Sequence, residues 1–449
     1  MVDAAAPPVR TSRRVYRQID ENWLSVLVGG STLLVGVATV AMFSLRPWYV
    51  NRDSALFQHA GWWLLNGAEL YVDIWDLKPP LIYGVAALLA LLSGGNMAVL
   101  HVLSVCLTVV TVVTGVTLVG VLVHRLTGDG VASVVGASTM FVLTALYGFP
   151  FAGLRPKYFA FLFGVAALLS TVAGRPFLSG VAGGVAAGFW QLAAPLALLV
   201  VGMSLQRHGW RAMWRTIAGG LTVTVLTVLP FVLQGNAVPL VVETVIAPIY
   251  GIEEFSVGAR LLMFGLEFGY GAFVVPLAVA GWIAGLRDNY REYWWVAVGG
   301  VLYTVQLFLE FQGAIELILL VVFFAVGVGL LVSCTSTPGQ KTALAGCIVL
   351  LVVLSAYWSL ALVTIVSPVP PGKSAVEAAY EESKVREYDS LPADPEGWPS
   401  MQTVYWNKLQ PEYCHYRLGV KQQYFAQETG GSLYQSTCGQ WPFAEPPIE

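Results

Sequence analysis

Charge is what this chain has least of. Only 11% of its 449 residues are Asp, Glu, Lys or Arg, and the net charge is −3, against roughly 25% charged residues in soluble domains. So thin a polar complement cannot cover a water-soluble fold of this length, and the mean hydropathy of +0.68 agrees. Cysteine is scarce too, with five copies, which excludes a disulfide scaffold. His59, His101, His124, His208 and His415 are scattered and form no metal-ligand spacing with the cysteines, so the sequence offers no metal site. No run of Lys or Arg is present, and nothing points to nucleic acid.

Apolar residues make up 56% of the chain, in repeated runs long enough to cross a bilayer. That predicts an all-α polytopic membrane protein. Residues 1–22 carry Arg10, Arg13, Arg14 and Arg17 but no long apolar stretch, and read as a cytoplasmic tail. Trp23 to Leu45 is the first span. Others are expected near 97–124, 130–149, 158–174, 177–190, 192–206, 214–235, 263–286, 294–310, 313–333 and 342–366, eleven in all. The run 177–206 is read as two spans broken at Gln191. One merged helix would put Arg207, Arg211 and Arg215 outside, against the preference of basic residues for the cytoplasm. With eleven crossings the cytoplasmic segments hold 12 Lys/Arg and the outer loops 6, so the N-terminus is expected inside and the C-terminus outside.

Residues 46–96 then form one long outer loop within the 23–366 membrane module. In it, 55–65 is apolar at helical spacing and rich in Trp, the mark of a helix lying in the interface. Residues 78–92 predict a second such helix, opened by Pro79 and Pro80. Residues 367–449 form the only sizeable polar piece, expected as a small extracytoplasmic α/β domain. Its 6 Lys/Arg against 11 Asp/Glu give 6 − 11 = −5. Residues 375–388 look helical, and Gln402 to Trp406 alternates like a short strand. Cys414 and Cys438 lie in this outer segment, where a bridge between them is chemically permitted. Cys106, Cys334 and Cys347 lie in or beside spans and read as packing residues.

The chemistry-bearing groups crowd at the outer surface. Arg52, Asp53, Asp73, Asp76 and Lys78 share the first loop, and Arg155 and Lys157 share the next one. Arg260, Glu310, Gln312 and Glu316 stand at outer ends of later spans, and Glu267 is nearer an apolar run. Ionisable groups beside lipid are costly and need a reason to be there. A carboxylate can take the proton of an acceptor hydroxyl, and cations can stabilise a departing phosphate. Simpler roles exist for the same residues. Asp53 could cap a helix starting at Ser54, and Lys78, Arg155 and Lys157 could be interfacial anchors.

The stretch from Asn51-Arg-Asp-Ser through Gly67-Ala-Glu-Leu-Tyr71 to Lys78-Pro-Pro resembles the first outer loop of GT-C membrane glycosyltransferases. The group it is most similar to contains the protein O-mannosyltransferases and lipid A aminoarabinose transferases. Gly183 to Gln191 resembles a Gly-rich stretch of the same group. The resemblance implies inverting transfer of a monosaccharide, mannose by preference, from a polyprenyl- or dolichyl-phosphate donor to a glycan, lipid or protein acceptor at the outer face. It matches Asp53 to the catalytic carboxylate and Lys78 to a phosphate-binding lysine. Arg155, Lys157 and Arg260 are then further candidates for the donor phosphate, and Arg52, Asp73, Asp76, Glu310 and Gln312 for substrate contacts. No cofactor is implied. Two positions depart from the group: Ser54 stands where a second carboxylate is usual, and Gln191 where a lysine is frequent. A transporter or lipid-linked sugar flippase is the competing class, but it would carry its ionisable groups near mid-bilayer.

Overall fold

The computed structural model describes residues 17–249, 256–309, 311, 313–366 and 401–408. The expected helix at 375–388, Glu253, Glu254, Glu310, Gln312, Cys414 and Cys438 lie outside the described residues. The described residues are helical, and the only β pairing among them is an isolated bridge between Leu70 and Ile74.

Helix α1 (Trp23–Leu45) is followed by α2 (Arg52–Leu64) and α3 (Leu81–Leu92), then by the long α4 (Met97–Thr127) and α5 (Gly130–Ser138). Next come α6 (Pro156–Val172), α7 (Pro176–Phe189), α8 (Ala194–His208) and α9 (Trp210–Gln234). The series closes with α10 (Val257–Phe268), α11 (Val274–Leu309), α12 (Ile318–Cys334), α13 (Pro338–Val366) and a short α14 (Met401–Asn407). Among the described residues, six helical stretches are long and apolar enough to cross a membrane; the others expected as spans are shorter or interrupted. The expected span 263–286 starts in α10 and runs on into the first part of α11, and the described part of 294–310 is the second part of α11. These helices meet through a 3-10 turn at Gly269–Phe273, and α11 is broken again by non-helical backbone at Asn289. Helices α7 and α8 are separate, as expected, parted by extended backbone at Trp190 and a turn at Gln191–Ala193.

Local chemistry explains the ends. The Asn96 side chain accepts from Ala98 N and Val99 N and starts α4, and Gly128, at φ 68°, stops it. A residue there must adopt the left-handed conformation that glycine tolerates. Asp129 then caps α5 through Ala132 N and pairs with Lys341 at the start of α13. Helix α12 is apolar on every side and buried along nearly its whole length, the pattern of a helix enclosed by others. It packs between α5 and α11.

Close helix contacts rest on glycine. A Cβ on Gly180 of α7 would stand 1.8 Å from Thr216 O of α9, and one on Gly219 2.2 Å from Phe177 O. Small residues let membrane helices approach in this way. Gly180→Val should therefore cost about 1–3 kcal/mol or more, read as a lower melting temperature in detergent. Gly29→Ala on α1, where nothing lies within 4 Å, should leave melting unchanged. Equal effects of the two substitutions would rule the contact out as the cause.

Three expectations are corrected here. Residues 402–406 are not a strand; they lie in α14, which docks on α2. Val404 and Tyr405 are adjacent and both buried, which a two-residue alternation cannot achieve but one side of a helix can. Asp53 is not the cap of α2: Asn51 is, its side chain accepting from Asp53 N at 3.1 Å, and the helix begins at Arg52. Cys106 and Cys334 are exposed on the helix surfaces rather than packed inside.

Candidate active site

Helices α2 and α3 cross tightly. A Cβ on Gly61 of α2 would meet the Ala86 backbone of α3 at 2.4 Å. Helix α2 is further fixed by Ser54 Oγ donating to Leu154 O (2.5 Å) and by Asn51 N donating to Ala152 O (3.2 Å). From α14, Tyr405 Oη lies 2.5 Å from Met97 O and 3.1 Å from Gln58 Oε1. Ser54, Gln58 and their neighbours face inward, while Arg52 and Asp53 in the first turn stay exposed. The buried face holds the helix, and the exposed first turn presents the carboxylate.

The turn between α2 and α3 is shaped by its acids and tyrosines. The Asp73 carboxylate accepts from Glu69 N at 2.7 Å and closes the turn, and Glu69 Oε2 accepts from Asn236 Nδ2 at 2.8 Å. Burial pushes the Asp73 carboxyl up, opposed by the Glu69 hydrogen bond. Tyr71 sits at φ 67°, a left-handed conformation uncommon for a bulky residue and costing about 1–3 kcal/mol. Its side chain is buried, and Oη donates to Lys78 O at 2.7 Å. The strained residue thus fixes the backbone that carries Lys78.

Asp76 accepts a short hydrogen bond from Tyr83 Oη of α3. Burial raises the Asp76 carboxyl above its ordinary range; the charge of Lys78 and the Tyr83 hydrogen bond pull it down, and the charge of Asp53 pushes it up again. Asp53, Asp76 and Lys78 therefore share one electrostatic neighbourhood. Burial also drives the Tyr71 and Tyr83 phenols well above the usual phenol range, and the negative charges of Asp76 and Glu243 act in the same direction. Both phenols remain protonated donors across the physiological range.

Lys157, in the first turn of α6, extends the cationic side. It pairs with Glu316 at 2.8 Å, lies 5.5 Å from the Trp190 ring centre, and is within electrostatic reach of Lys78 and Arg155. Next to Trp190, Gln191 Nε2 donates to Leu77 O at 2.7 Å, so the turn between α7 and α8 is tied to the loop bearing Lys78. Arg155 stacks 5.7 Å from the Phe149 ring, and its buried Nε has no hydrogen-bond partner among the described residues. Arg260 Nη1 donates to Phe311 O at 2.6 Å, and Glu267 Oε2 accepts from Ala314 N at 3.1 Å. Arg260, Glu267 and Lys157 thus converge on one segment, 311–317, beside the Lys78 group.

Two participants escape a sequence reading. Glu316 appears there as an end-of-span carboxylate without a partner, yet it neutralises Lys157 across 159 residues. Glu243 gives no signal at all. It lies in a single π turn, Val242–Ile246, is 1% exposed, and acts on both Tyr71 and Tyr83. A π turn is a frequent mark of function, but it is visible only in the backbone.

Beside this group an apolar groove of about 550 Å³ runs between α7, α8 and α9. Pro79, Pro80 and Gln191 line one part of it, and Gly180 and Thr216 another.

The comparisons agree with this architecture. ArnT from Cupriavidus metallidurans, solved with undecaprenyl phosphate, superposes with a TM-score of 0.62 over 89% of this chain and 88% of that one, at 13% identity. The two share one fold, the GT-C fold that the first-loop motif implied. An Archaeoglobus fulgidus oligosaccharyltransferase tethered to an acceptor peptide shares it at a TM-score of 0.51 and 13% identity, over 87% of this chain and 59% of that one. The family model described as DolP-mannose mannosyltransferase matches residues 67–229, which hold Lys78, Arg155, Lys157 and Gln191. In sequence, this chain is similar to the dolichol phosphate-mannose mannosyltransferase of Haloferax volcanii. The two are 27% identical over 435 residues, 92% of this chain and 95% of the relative.

Proposed function

We propose that the protein is a membrane mannosyltransferase that takes mannose from a polyprenyl- or dolichyl-phosphate donor. The observation that carries this reading is that Asp53, exposed in the first turn of α2, and Lys78, on a turn tied down by Tyr71 Oη, both stand in the neighbourhood of Asp76, which Tyr83 holds. The similarity to the Haloferax volcanii mannosyltransferase along nearly the whole chain supports the choice of donor.

In this mechanism the Asp53 carboxylate takes the proton of the acceptor hydroxyl as its oxygen attacks C1 of mannose. The bond between C1 and the phosphate oxygen breaks, and the configuration at C1 inverts. The polyprenyl phosphate departs with its new charge held by Lys78 and Arg155. Lys157, already paired with Glu316, supports this field from behind. Arg260 fixes the 311–317 segment that borders the site, and Arg52, Asp73, Asp76, Glu310 and Gln312 serve the sugar and acceptor. The groove beginning at Pro79 and Pro80 takes the isoprenoid chain, since its lining is almost wholly apolar and starts one residue from Lys78.

The acceptor is a glycan, lipid or protein hydroxyl at the outer membrane face. The chain crosses the membrane eleven times, with the N-terminus cytoplasmic and the C-terminus outside. Residues 367–449 are assigned to the outer side, where a bridge between Cys414 and Cys438 is chemically permitted. No metal cofactor is part of the reaction. The decisive assay incubates the purified protein with mannose-labelled dolichyl phosphate and a membrane extract, and then finds the product gaining one hexose by mass. Transfer should survive EDTA. Donor uptake into vesicles without any glycosidic product would replace this reading with a flippase.

A further inference from the structure

Far from Lys78, at the other end of α8, the surface carries an unusual combination of groups. Helix α8 starts beside the Gln191 turn that holds Leu77 O and runs 15 residues to His208, about 22 Å along its axis. The next helix, α9, is long and apolar enough to cross a membrane, and its first turn lies at the end of α8 away from the Gln191 turn, where a membrane-crossing α9 meets one bilayer surface. Its first turns read Trp210-Arg-Ala-Met-Trp214-Arg215. Trp210 and Trp214 are 60% and 51% exposed, with ring centres 5.6 Å apart in an edge-on arrangement. Arg211 and Arg215 are exposed one helical turn apart, so they stand side by side. The contact of Gly180 with Thr216 and of Phe177 with Gly219 brings the first turn of α7 alongside, with Arg175 and Phe177, both exposed.

The charges at this end are unbalanced. Glu292 and Asp288 are the acids near Arg207, and Arg207 takes Glu292 in an ion pair at 2.7 Å. Among the described residues, no ion pair joins Arg175, Arg211 or Arg215 to an acid. Exposed indole rings suit the headgroup level of a bilayer. Guanidinium groups beside them grip phosphate through paired hydrogen bonds, and a net negative headgroup adds attraction that a zwitterion lacks. We propose that the α7–α9 end, through Trp210, Trp214, Arg175, Arg211 and Arg215, is a binding site for an anionic phospholipid of the leaflet opposite the catalytic loop.

The test titrates full-length protein in detergent with phosphatidylglycerol or phosphatidylcholine and counts lipid adducts by native mass spectrometry. The wild type should prefer phosphatidylglycerol. The Arg211→Gln/Arg215→Gln protein should lose about 25-fold in phosphatidylglycerol affinity, about fivefold for each charge, with phosphatidylcholine binding unchanged. Arg211→Lys/Arg215→Lys should keep most of the preference. If the double glutamine variant fails to fold, Arg215→Gln alone reads the same effect at about fivefold. Equal binding of the two lipids by the wild type, or a preference untouched by the glutamine substitutions, would overturn the site. Mannosyl transfer in mixed micelles of phosphatidylcholine and detergent should be the same for wild type and variants, so this result stands apart from the catalytic assignment.

Discussion

Asp53→Asn is expected to lower kcat for mannosyl transfer by about 10²–10⁴-fold, the range general-base catalysis contributes, while leaving donor binding nearly intact. The substitution keeps the size of the side chain and removes only its basicity. Helix α2 should survive it, because the cap is Asn51 and the helix is held by Ser54, Gln58 and Gly61 on its buried face. What is lost structurally is a negative charge in the first turn of a helix, worth about 0.3–1 kcal/mol, so melting should fall only slightly. A purely structural Asp53 would show the reverse, a clear loss of melting temperature with turnover preserved. Measuring kcat, the inhibition constant of sugar-free polyprenyl phosphate and the melting temperature on one preparation separates the two. Wild-type turnover in the asparagine variant would remove Asp53 from the mechanism.

The first outer loop was the most legible part of the chain because its signals are local. Trp-rich helical spacing gave α2, the Pro79-Pro80 pair gave the start of α3, and the run of Asp and Lys between them marked the polar turn. The break at 190–193 was also readable, because one merged helix would put Arg207, Arg211 and Arg215 outside, against the preference of basic residues for the cytoplasm. The partnerships that finish the site were not readable, because they are long-range. Lys157 with Glu316, Gln191 with Leu77 O, and Asn236 with Glu69 are separated by 159, 114 and 167 residues. Gln191, which departs from a frequent lysine of the group, holds the Lys78 loop by its backbone at Leu77 O. At 402–406 five residues of alternation could not separate a strand from a helix, and the packing of Tyr405 on α2 decided for the helix.

Lys78→Met tests the other half of the mechanism and should act on binding before chemistry. Methionine keeps the length and apolar stem of lysine, so the contacts of that stem persist. Only the charge on the phosphate is lost. A charge-assisted hydrogen bond is worth about 1.5–3 kcal/mol, so affinity for both the mannose donor and sugar-free polyprenyl phosphate should weaken by about 10–150-fold. Lys78→Arg, which keeps the charge, should recover part of this. The Lys78 backbone is fixed independently, through Tyr71 Oη on its carbonyl, which guards against loop collapse in the variant. A second readout follows from Asp76. Burial already raises its carboxyl, and Lys78 is the largest influence opposing that rise. Removing the cation should lift the Asp76 pKa further, so the carboxylate is protonated at a higher pH than in the wild type. If ionised Asp76 orients the donor sugar, the acid limb of the pH–rate profile moves to higher pH in Lys78→Met, and adding Asp76→Asn abolishes that movement. Sugar-free polyprenyl phosphate binding with equal affinity to wild type and Lys78→Met would show that the phosphate rests on other cations.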